Sequence, residues 1–383
     1  MPHLWYTRCP APTPFGVAIR QGRLHDEFAR DGLTIAALQD ADDPQIRRSH
    51  FTHSQPWSFR QGGNIPALWA RAQGSDTRLI ALSWVDEFQA LITLDPALAA
   101  SPEALARARF GLPVNTRASV VDFHRATALR GFDSLLAVRG IALDAIALVE
   151  LPHAPRSLED AAAGADLPVS QWLAQQRPHE FSREAAALLR GEADVVFVKG
   201  ATGLDIANQL GATVLVEIGE QPERRRHANN GTPRPLTVDA KLLRERPDLV
   251  ERVLMRTLEA GGWAAAHPDD TIAYLARETR SAEHWVRRAY RPDVHRQMTI
   301  GIDRGSLAAL DDFKQFLHRH GFLPNDFDLD DWVDPAPLAA AYERLADEAG
   351  EAAESRRGSI KDAETSRSGS LHAAVLAAPA ALG

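Results

Sequence analysis

The sequence predicts an α/β protein with two lobes, mostly parallel sheets and a cleft between the lobes. Two observations lead to this prediction. The chain has 383 residues, 45% of them hydrophobic, and this length is too great for one core of ordinary size. Short apolar runs also alternate with helical patterns, which is typical of strand-helix-strand units around a mostly parallel sheet.

The first lobe is predicted to begin with residues 1–98. Its predicted strands are 4–6 and 33–38, followed by extended segments over 79–94 that are interrupted at Asp86 and Glu87, and its predicted helices are 15–29 and 64–72. Pro12 and Pro14 follow the first strand, and prolines are tolerated in a loop and in the first turn of a helix. Cys9 is therefore expected at a turn from strand to helix.

Residues 99–205 are predicted to form the second lobe. Ser101 and Pro102 have the pattern of a helix N-cap followed by a first-turn proline. The elements that follow are predicted as strands at 109–114, 147–151 and 195–198, and as helices at 126–138 and 183–189. Lys199 and Gly200 come after the last of these strands, either as a plain turn or as residues that line the cleft.

Residues 206–340 are predicted to return to the first lobe and to add C-terminal helices. Residues 214–218 have the pattern of a strand, and residues 237–263 have that of two helices broken at Pro247. From 341 to 383 the chain is rich in Ala, Glu and Ser. Such a segment buries little apolar surface, so a flexible or loosely docked tail is expected.

The net charge of −8 argues against a nucleic-acid-binding protein, because phosphate contact needs a basic surface. The dense basic run at 224–227 is expected in a solvated loop. No apolar run approaches the roughly 20 residues of a membrane span, so no membrane partner is expected. The first residues lack the pattern of a secretory leader, and a cytoplasmic location is expected.

Cys9 is the single cysteine of the chain. An internal disulfide framework and a multi-cysteine zinc site are therefore excluded. His318 and His320 superficially resemble a metal-binding pair, but residues two apart on a helix do not face each other. No metal site is expected there.

Two short segments, 6–12 and 49–66, carry the candidate chemistry. Both are expected at the carboxyl ends of strands, where α/β sheets bind ligands. Gly62 and Gly63 before a helix leave backbone amides free to approach an anion, and Arg60 adds a guanidinium that can clamp it. This pattern predicts a site for a carboxylate, phosphate, sulfonate or sulfinate.

Cys9 and His50 add a reactive pair to this anion site. A helix N-terminus and a nearby guanidinium favour the thiolate of Cys9, and His50 is expected to hydrogen-bond the thiol. Phe51 and Trp57 are candidate walls of an apolar substrate pocket, and Gln55 is a further candidate substrate contact. Taken singly, these residues also fit a buried small cysteine, a core histidine or buried aromatic packing. Their co-occurrence favours a functional site.

At these residues the chain resembles the 2′-hydroxybiphenyl-2-sulfinate desulfinase family, which is related to sulfonate- and nitrate-type binding proteins of ABC importers. The family's Tyr-x-x-Cys-Pro-x-Pro motif is matched at 6–12. Its His-Phe-Thr-x-x-Gln-Pro-x-x-x-Arg-x-Gly-Gly-x-Ile-Pro motif is matched at 50–66. Weaker similarity at 101–114 and 237–263 extends the resemblance to about residue 335. The implied fold is that of a type II periplasmic binding protein.

The resemblance implies that Cys9 is the catalytic thiol, that His50 is its neighbour, and that Arg60 and the Gly63 amide hold a sulfinate. Two differences concern the substrate. His53 and Ser54 stand where the family has a tyrosine and an aspartate. The region around Phe123 and His124 also differs, and the tail is longer.

The implied activity is that of a hydrolase acting on carbon–sulfur bonds, a desulfinase that releases sulfite from an aromatic or otherwise apolar sulfinate. Cys9 acts either as a nucleophile on sulfur or as the acid that protonates the ipso carbon. No metal or redox cofactor is expected, and the chain is expected to be a monomer or weak dimer. The alternative is a cytosolic binding protein or sensor for a sulfonate or sulfinate anion, without turnover.

Overall fold

The computed structural model of the protein describes residues 3–7, 9, 11–118, 120–153, 180–348 and 350. These residues form two five-stranded sheets. The ten strands are β1 (His3–Thr7), β2 (Thr34–Ala37), β3 (Ser58–Gln61), β4 (Thr77–Ser83), β5 (Gln89–Thr93), β6 (Arg109–Asn115), β7 (Ala147–His153), β8 (Val195–Lys199), β9 (Thr213–Glu217) and β10 (Arg234–Asp239).

Helices cover both faces of the sheets. In chain order they are α1 (Pro14–Arg20), α2 (Arg23–Ala29), α3 (Pro44–Thr52), α4 (Asn64–Ala72), α5 (Pro102–Ala106), α6 (Phe123–Leu136), α7 (Ser182–Leu189), α8 (Gly200–Gln209), α9 (Ala240–Glu245), α10 (Pro247–Ala266), α11 (Pro268–Thr279), α12 (Glu283–Ala289), α13 (Val294–Gln297), α14 (Arg304–Arg319) and α15 (336–348).

Each sheet is mixed. In the first, the order is β2-β1-β3-β10-β4, with β1 parallel to β2 and β3, and β10 antiparallel to β3 and β4. In the second, the order is β7-β6-β8-β5-β9, with β6 parallel to β7 and β8, and β5 antiparallel to β8 and β9. The prediction of a two-lobed α/β protein is confirmed. In each sheet the antiparallel strand, β5 or β10, is the first strand after the chain crosses from the other sheet.

The crossovers lie between β4 and β5 and between β9 and β10. The predicted ranges placed residues 89–93 and 213–217 with the first lobe, whereas both strands pair in the second sheet. The reason is that hydrophobic alternation identifies a strand but not the sheet in which it pairs. The structure also differs from the prediction of two helices over 237–263. Residues 237–239 belong to β10, and the two helices, α9 and α10, start at 240 and 247.

Local sequence explains most of the remaining elements. The predicted helix at 15–29 is divided into α1 and α2 at Gly22, whose φ of +75° is left-handed and suits glycine. Ser101 caps α5 by accepting a hydrogen bond from the Ala104 amide at 3.1 Å. In β8, Val195–Val198 are all buried because helices cover both faces of the sheet.

A turn at 229–231 ties the two sheets together near α4. The Asn229 side-chain amide donates to Gln89 Oε1 and to the Thr127 carbonyl oxygen, both at 3.1 Å. Asn64, the first residue of α4, donates through Nδ2 to the carbonyl oxygens of Asn229 and Pro233, both at 2.9 Å. The amino end of α4 is therefore fixed against the segment that links β9 to β10.

A buried charge cluster lies at the same junction. Glu87, on the link between β4 and β5, pairs with Lys199 Nζ at 2.6 Å and with Arg234 Nη2 at 3.8 Å. Lys199 ends β8 in the second sheet and Arg234 begins β10 in the first. One carboxylate thus joins two cations that belong to different sheets.

The C-terminal part of the described chain is helical. In α15, Leu338 and Ala341 are buried in the core. Of the predicted tail at 341–383, only 341–348 and 350 lie within the described residues. Among the helices described, none combines the length and the apolar character that crossing a membrane requires.

Candidate active site

Strand pairing brings the two predicted segments together. β1 and β3 are parallel neighbours in which Thr7 lies opposite Arg60. Two residues further along each chain, the same register places Cys9 beside Gly62. A Cβ atom on Gly62 would lie 2.6 Å from Sγ and 2.7 Å from Cβ of Cys9. The thiol therefore occupies the space that a side chain at position 62 would need.

Arg60 lies at the same place. Its Nη2 atom is 3.7 Å from the position that a Cβ on Gly62 would take. Because the Cys9 sulfur and this nitrogen both lie next to that one point, they are close enough to contact one small anion. The structure thus brings Cys9, Arg60 and Gly62 close together, and their function as one site stays a prediction.

The Arg60 guanidinium is a buried charge. Arg60 is only 4% exposed. Within the described part of the chain, its Nε and Nη1 atoms have no hydrogen-bond partner. Burial lowers the pKa of Arg60 to about 10, while the charge of Cys9 acts in the opposite direction. The group therefore remains a cation at neutral pH, and burial of a cation without partners is costly.

His50 belongs to α3 and lies near Arg60 of β3. Its side chain is uncharged at neutral pH. Burial, followed by repulsion from Arg60, lowers the pKa of His50 to about 3. Gln39 donates from Nε2 to Nδ1 of His50 at 3.0 Å, which leaves the ring proton on Nε2. Among the described residues no hydrogen bond joins His50 to the Cys9 thiol, so the expected pairing of the two stays a prediction.

His53 is a second buried histidine at this site, and its role was not predicted. It ends α3 in a left-handed conformation with φ of +51°. Burial lowers its pKa well below the ordinary value, and Arg60 and then His50 lower it further. Neither ring nitrogen has a partner among the described residues. The sequence signal was present in the His-Phe-Thr-His stretch, but spacing alone did not indicate that both histidines face one guanidinium.

The helix ends near the site differ in their availability to an anion. At α1, the Phe15 amide donates to Gln61 Oε1 and the Gly16 amide to Thr13 Oγ1, both at 3.0 Å. Cys9 precedes the N-cap Thr13 by four residues. The thiol therefore does not lie directly at this helix end, where it was predicted. Protein groups already satisfy those amides.

At α4, Gly63 is the N-cap residue. The Ile65 amide donates to Asn230 Oδ1 at 3.2 Å, and a Cβ on Gly63 would lie 2.5 Å from the same oxygen. The Gly62 amide points toward β10 in the register of β3 with that strand, whereas within the described ranges no hydrogen bond from the Gly63 amide to the protein is found. The Gly63 amide can therefore serve an anion, while Asn230, which sequence spacing could not connect with the site, accepts from the Ile65 amide in the first turn of the helix.

A cavity of about 190 Å³ opens beside Cys9. Tyr6, Phe15 and Ile19 supply apolar walls, and the rest of the lining is largely polar, with Thr7, Thr13, Arg20, Gln61, Tyr274 and Glu278. Tyr6 and Phe15 pack edge to face with ring centroids 6.0 Å apart. The thiol therefore borders both a buried guanidinium and a space with one apolar side and one polar side.

Three other predicted substrate contacts, Gln55, Trp57 and Phe51, do not lie beside Cys9 at the carboxyl ends of β1 and β3. The chain passes Gln55 and Trp57 before it enters β3, so both lie at the amino end of the strand, whereas Cys9 and Gly62 lie beyond carboxyl ends. The Trp57 amide donates to Asp239 Oδ2 at 2.9 Å, and its ring packs on the core. Phe51 contacts the His50 ring edge to face at 4.5 Å.

The second sheet presents aromatic and basic groups at its own carboxyl edge. The His124 ring lies 4.2 Å from the Phe123 ring and 5.7 Å from that of His153, measured between centroids. Burial is the main cause of a lowered His124 pKa, against which Glu180 acts. No set of three or more His, Cys, Asp or Glu side chains in the described segments is arranged to hold a metal ion.

Comparison with curated proteins confirms the resemblance found in the sequence. Proteins named 2′-hydroxybiphenyl-2-sulfinate desulfinase from Rhodococcus erythropolis and Rhodococcus qingshengii are each 27% identical to this chain over 364 residues. The alignments cover 89% of this chain and 94% of each relative. No protein-family model matches the chain.

Solved structures confirm the fold. The crystal structure of the desulfurization enzyme DszB superposes with a TM-score of 0.69 at 24% identity, over 90% of this chain and all of that one. A cysteine-to-serine mutant of DszB in complex with biphenyl-2-sulfinic acid gives 0.68 at 24% identity, over 89% and 99%. A periplasmic sulfonate-binding protein SsuA from Methylobacillus flagellatus gives 0.63 at 14% identity, over 90% and 95%. The two lobes therefore have the architecture of periplasmic binding proteins.

Proposed function

We propose that this protein is a desulfinase that cleaves the carbon–sulfur bond of an aromatic sulfinate and releases sulfite. The observation that carries the proposal is the pairing of a free thiol with a buried guanidinium that lacks a protein partner among the described residues. Such a guanidinium is suited to a bound oxyanion, which would compensate the cost of burying it. Because the relatives are named as sulfinate desulfinases, a sulfinate is the proposed anion.

The proposed reaction adds water across the carbon–sulfur bond. An aryl sulfinate and one water give the arene and one hydrogensulfite ion. The carbon–sulfur bond breaks, a proton is bonded to the ipso carbon, and the oxygen of water ends on sulfur. No electrons enter or leave overall, so the balance needs no oxidant or reductant.

Arg60 and the amide of Gly63 are the proposed holders of the sulfinate oxygens. Arg60 offers parallel N–H donors that match two oxygens, and the Gly63 amide at the start of α4 adds a donor at the positive end of a helix dipole. In a buried site these donors stabilise charge on oxygen more strongly than water-exposed donors would. The sulfur atom is thereby held next to Cys9.

Cys9 is the proposed catalytic residue in either of two routes. As a nucleophile, its sulfur bonds to the sulfinate sulfur while the aryl group leaves and takes a proton, and water then releases hydrogensulfite from the cysteine. As an acid, the thiol gives its proton to the ipso carbon, and sulfur dioxide leaves and hydrates. His50, uncharged with its proton on Nε2, is able to donate a hydrogen bond in both routes.

The cavity beside Cys9 is the proposed site for the apolar part of the substrate. Its walls include Tyr6, Phe15 and Ile19, and burial of an aryl group against them would remove apolar surface from water. The biphenyl-2-sulfinic acid bound by DszB is a compound of this type.

Anion binding without turnover is the second candidate function. It is favoured by the fold that the chain shares with sulfonate-binding SsuA. Both candidates use Arg60, but only the desulfinase needs the thiol of Cys9. A substitution at Cys9 therefore separates them.

The test is to incubate the purified protein with biphenyl-2-sulfinate and to measure sulfite and biphenyl. We expect equal amounts of both products, and a loss of about a thousandfold or more in Cys9→Ser. Arg60→Lys keeps the charge but loses the paired donors, so KM should rise by about tenfold or more. Asp270→Asn, at an exposed position of α11, is the control. Binding of the sulfinate without products, unaffected by Cys9→Ser, would support the binding protein instead.

A further inference from the structure

A small void lies beside Arg60. Its volume is about 10 Å³, and its polar lining consists of Thr7, Ser49, His53, Ser58, Arg60, Thr77, Thr237 and Asp239. The lining combines β1, β3, β4, β10 and the end of α3. A space of about this size holds one water molecule if two to four polar groups face it.

Three side chains around this void carry polar atoms without partners. They are Thr7 Oγ1, both ring nitrogens of His53, and Nε and Nη1 of Arg60, all without a hydrogen bond among the described residues. The three residues are 2%, 8% and 4% exposed, so bulk water does not serve these atoms. Each atom left unpaired would carry the desolvation cost of a buried polar group.

Several neighbouring polar groups already form hydrogen bonds. Ser58 Oγ donates to the Gln55 carbonyl oxygen at 2.7 Å, and Thr77 Oγ1 accepts from Trp332 Nε1 at 3.0 Å. Ser49 Oγ accepts from the Gln55 amide at 2.8 Å. Asp239 Oδ2 accepts from the amides of Trp57 and Leu242, at 2.9 and 3.1 Å. Neither Ser49 nor Asp239 bonds to Arg60 among the described residues, and His53 and Thr7 line the same void as Arg60.

The chemistry of the three side chains suits one shared water. Arg60 only donates, a threonine hydroxyl accepts, and an uncharged imidazole has one acceptor nitrogen. A water between them accepts from the guanidinium and donates to His53 and Thr7. The backbone holds the His53 ring in place, because the His53 amide donates to the Ser49 carbonyl oxygen at 2.9 Å at the end of α3.

We propose that His53 is a positioning residue for Arg60, acting through one water bound between His53, Thr7 and Arg60. This water fixes the guanidinium, so that Nη2 stays directed toward the sulfur of Cys9 and toward an anion. The inference rests on the proposed function for its effect on the substrate. The water site itself does not depend on that function.

The binding test uses the Cys9→Ser chain, in which turnover is removed, with biphenyl-2-sulfinate as the probe. His53→Phe removes both ring nitrogens, and Thr7→Val removes the hydroxyl at nearly constant shape. Each should weaken binding about fivefold to tenfold, as loss of one bridging hydrogen bond does. Because both act through the same water, the double variant should be no weaker than about tenfold. Independent effects that multiply would overturn the proposal.

Two further variants separate positioning from folding. His53→Asn keeps polar groups and tolerates the left-handed conformation, so it should stay within about threefold of the parent affinity. His25→Phe makes the same change at an exposed histidine of α2 and should leave the affinity unchanged. If His53→Phe fails to fold, Thr7→Val alone decides: an unchanged affinity overturns the proposal.

A crystal structure of the free wild-type protein provides a readout that does not involve the substrate. We expect an ordered water within about 3.2 Å of Arg60, of a His53 ring nitrogen and of Thr7 Oγ1. Direct contact of His53 with Arg60, with no water between them, would overturn the inference. If biphenyl-2-sulfinate fails to bind at all, the proposed function fails, and this structure still decides whether the water exists.

Discussion

Cys9 and Gly62 lie side by side at the ends of β1 and β3, with the cysteine sulfur 2.6 Å from the position that a Cβ on Gly62 would occupy. The contact follows from the parallel register in which Thr7 lies opposite Arg60. A glycine at position 62 is therefore a condition for the thiol to lie where it does.

Gly62→Ala should reduce sulfite release strongly while the fold is kept. The new methyl group would displace the Cys9 side chain, and a shift of about 1 Å at a reacting group costs about a hundredfold in rate. The measurement is kcat/KM for biphenyl-2-sulfinate, with thermal unfolding as the check on folding. Gly262→Ala is the matched control, because Gly262 is exposed in α10 with no atom within 4 Å of its added Cβ. Equal activity in both variants would contradict the placement of Cys9.

Glu87→Gln should destabilise the protein by about 3 kcal/mol or more, because it leaves two buried cations without their carboxylate. Glu87, Lys199 and Arg234 are all well buried and come from both sheets. The measurement is the free energy of unfolding in urea. Asp269→Asn breaks an exposed pair with Arg287 and should cost less than about 1 kcal/mol. A similar small cost for Glu87→Gln would argue against the buried cluster.

Stability should fall as the pH falls from 6.5 toward 3. The ordinary histidine pKa is 6.5, whereas in the folded protein that of His50 is about 3 and that of His53 is also well below 6.5. Between these values the unfolded chain binds protons that the folded chain does not, so acid favours unfolding. His53→Asn should reduce the slope by up to about 1.4 kcal/mol per pH unit. His25→Asn, at an exposed position, should leave the slope unchanged, and an equal slope in all three proteins would refute the prediction.

Much of the site could be predicted from the sequence because it follows local rules. The segments 6–12 and 49–66 are expected at the carboxyl ends of strands in an α/β sheet, although β3, the strand that contains Arg60, was not predicted. The register of β1 and β3 then brings Cys9, Arg60 and Gly62 together. The helix at 64–72 was also predicted with the bounds that the structure has.

Other features depend on contacts between distant segments. β5 and β9 look like ordinary strands, and only pairing with β8 assigns them to the second sheet. Asn230 reaches the start of α4 through a turn 165 residues away in sequence. His53 faces Arg60 because α3 ends in a left-handed residue, and a sequence pattern does not report that conformation.

The most direct test of the central claim is a crystal structure of Cys9→Ser with biphenyl-2-sulfinate bound. We predict that a sulfinate oxygen accepts from Arg60 within about 3.2 Å, and that the sulfur lies within about 3.5 Å of the side chain at position 9. The aryl group should enter the cavity beside Tyr6 and Phe15. A sulfinate bound elsewhere, with Arg60 and position 9 both free of it, would contradict the account.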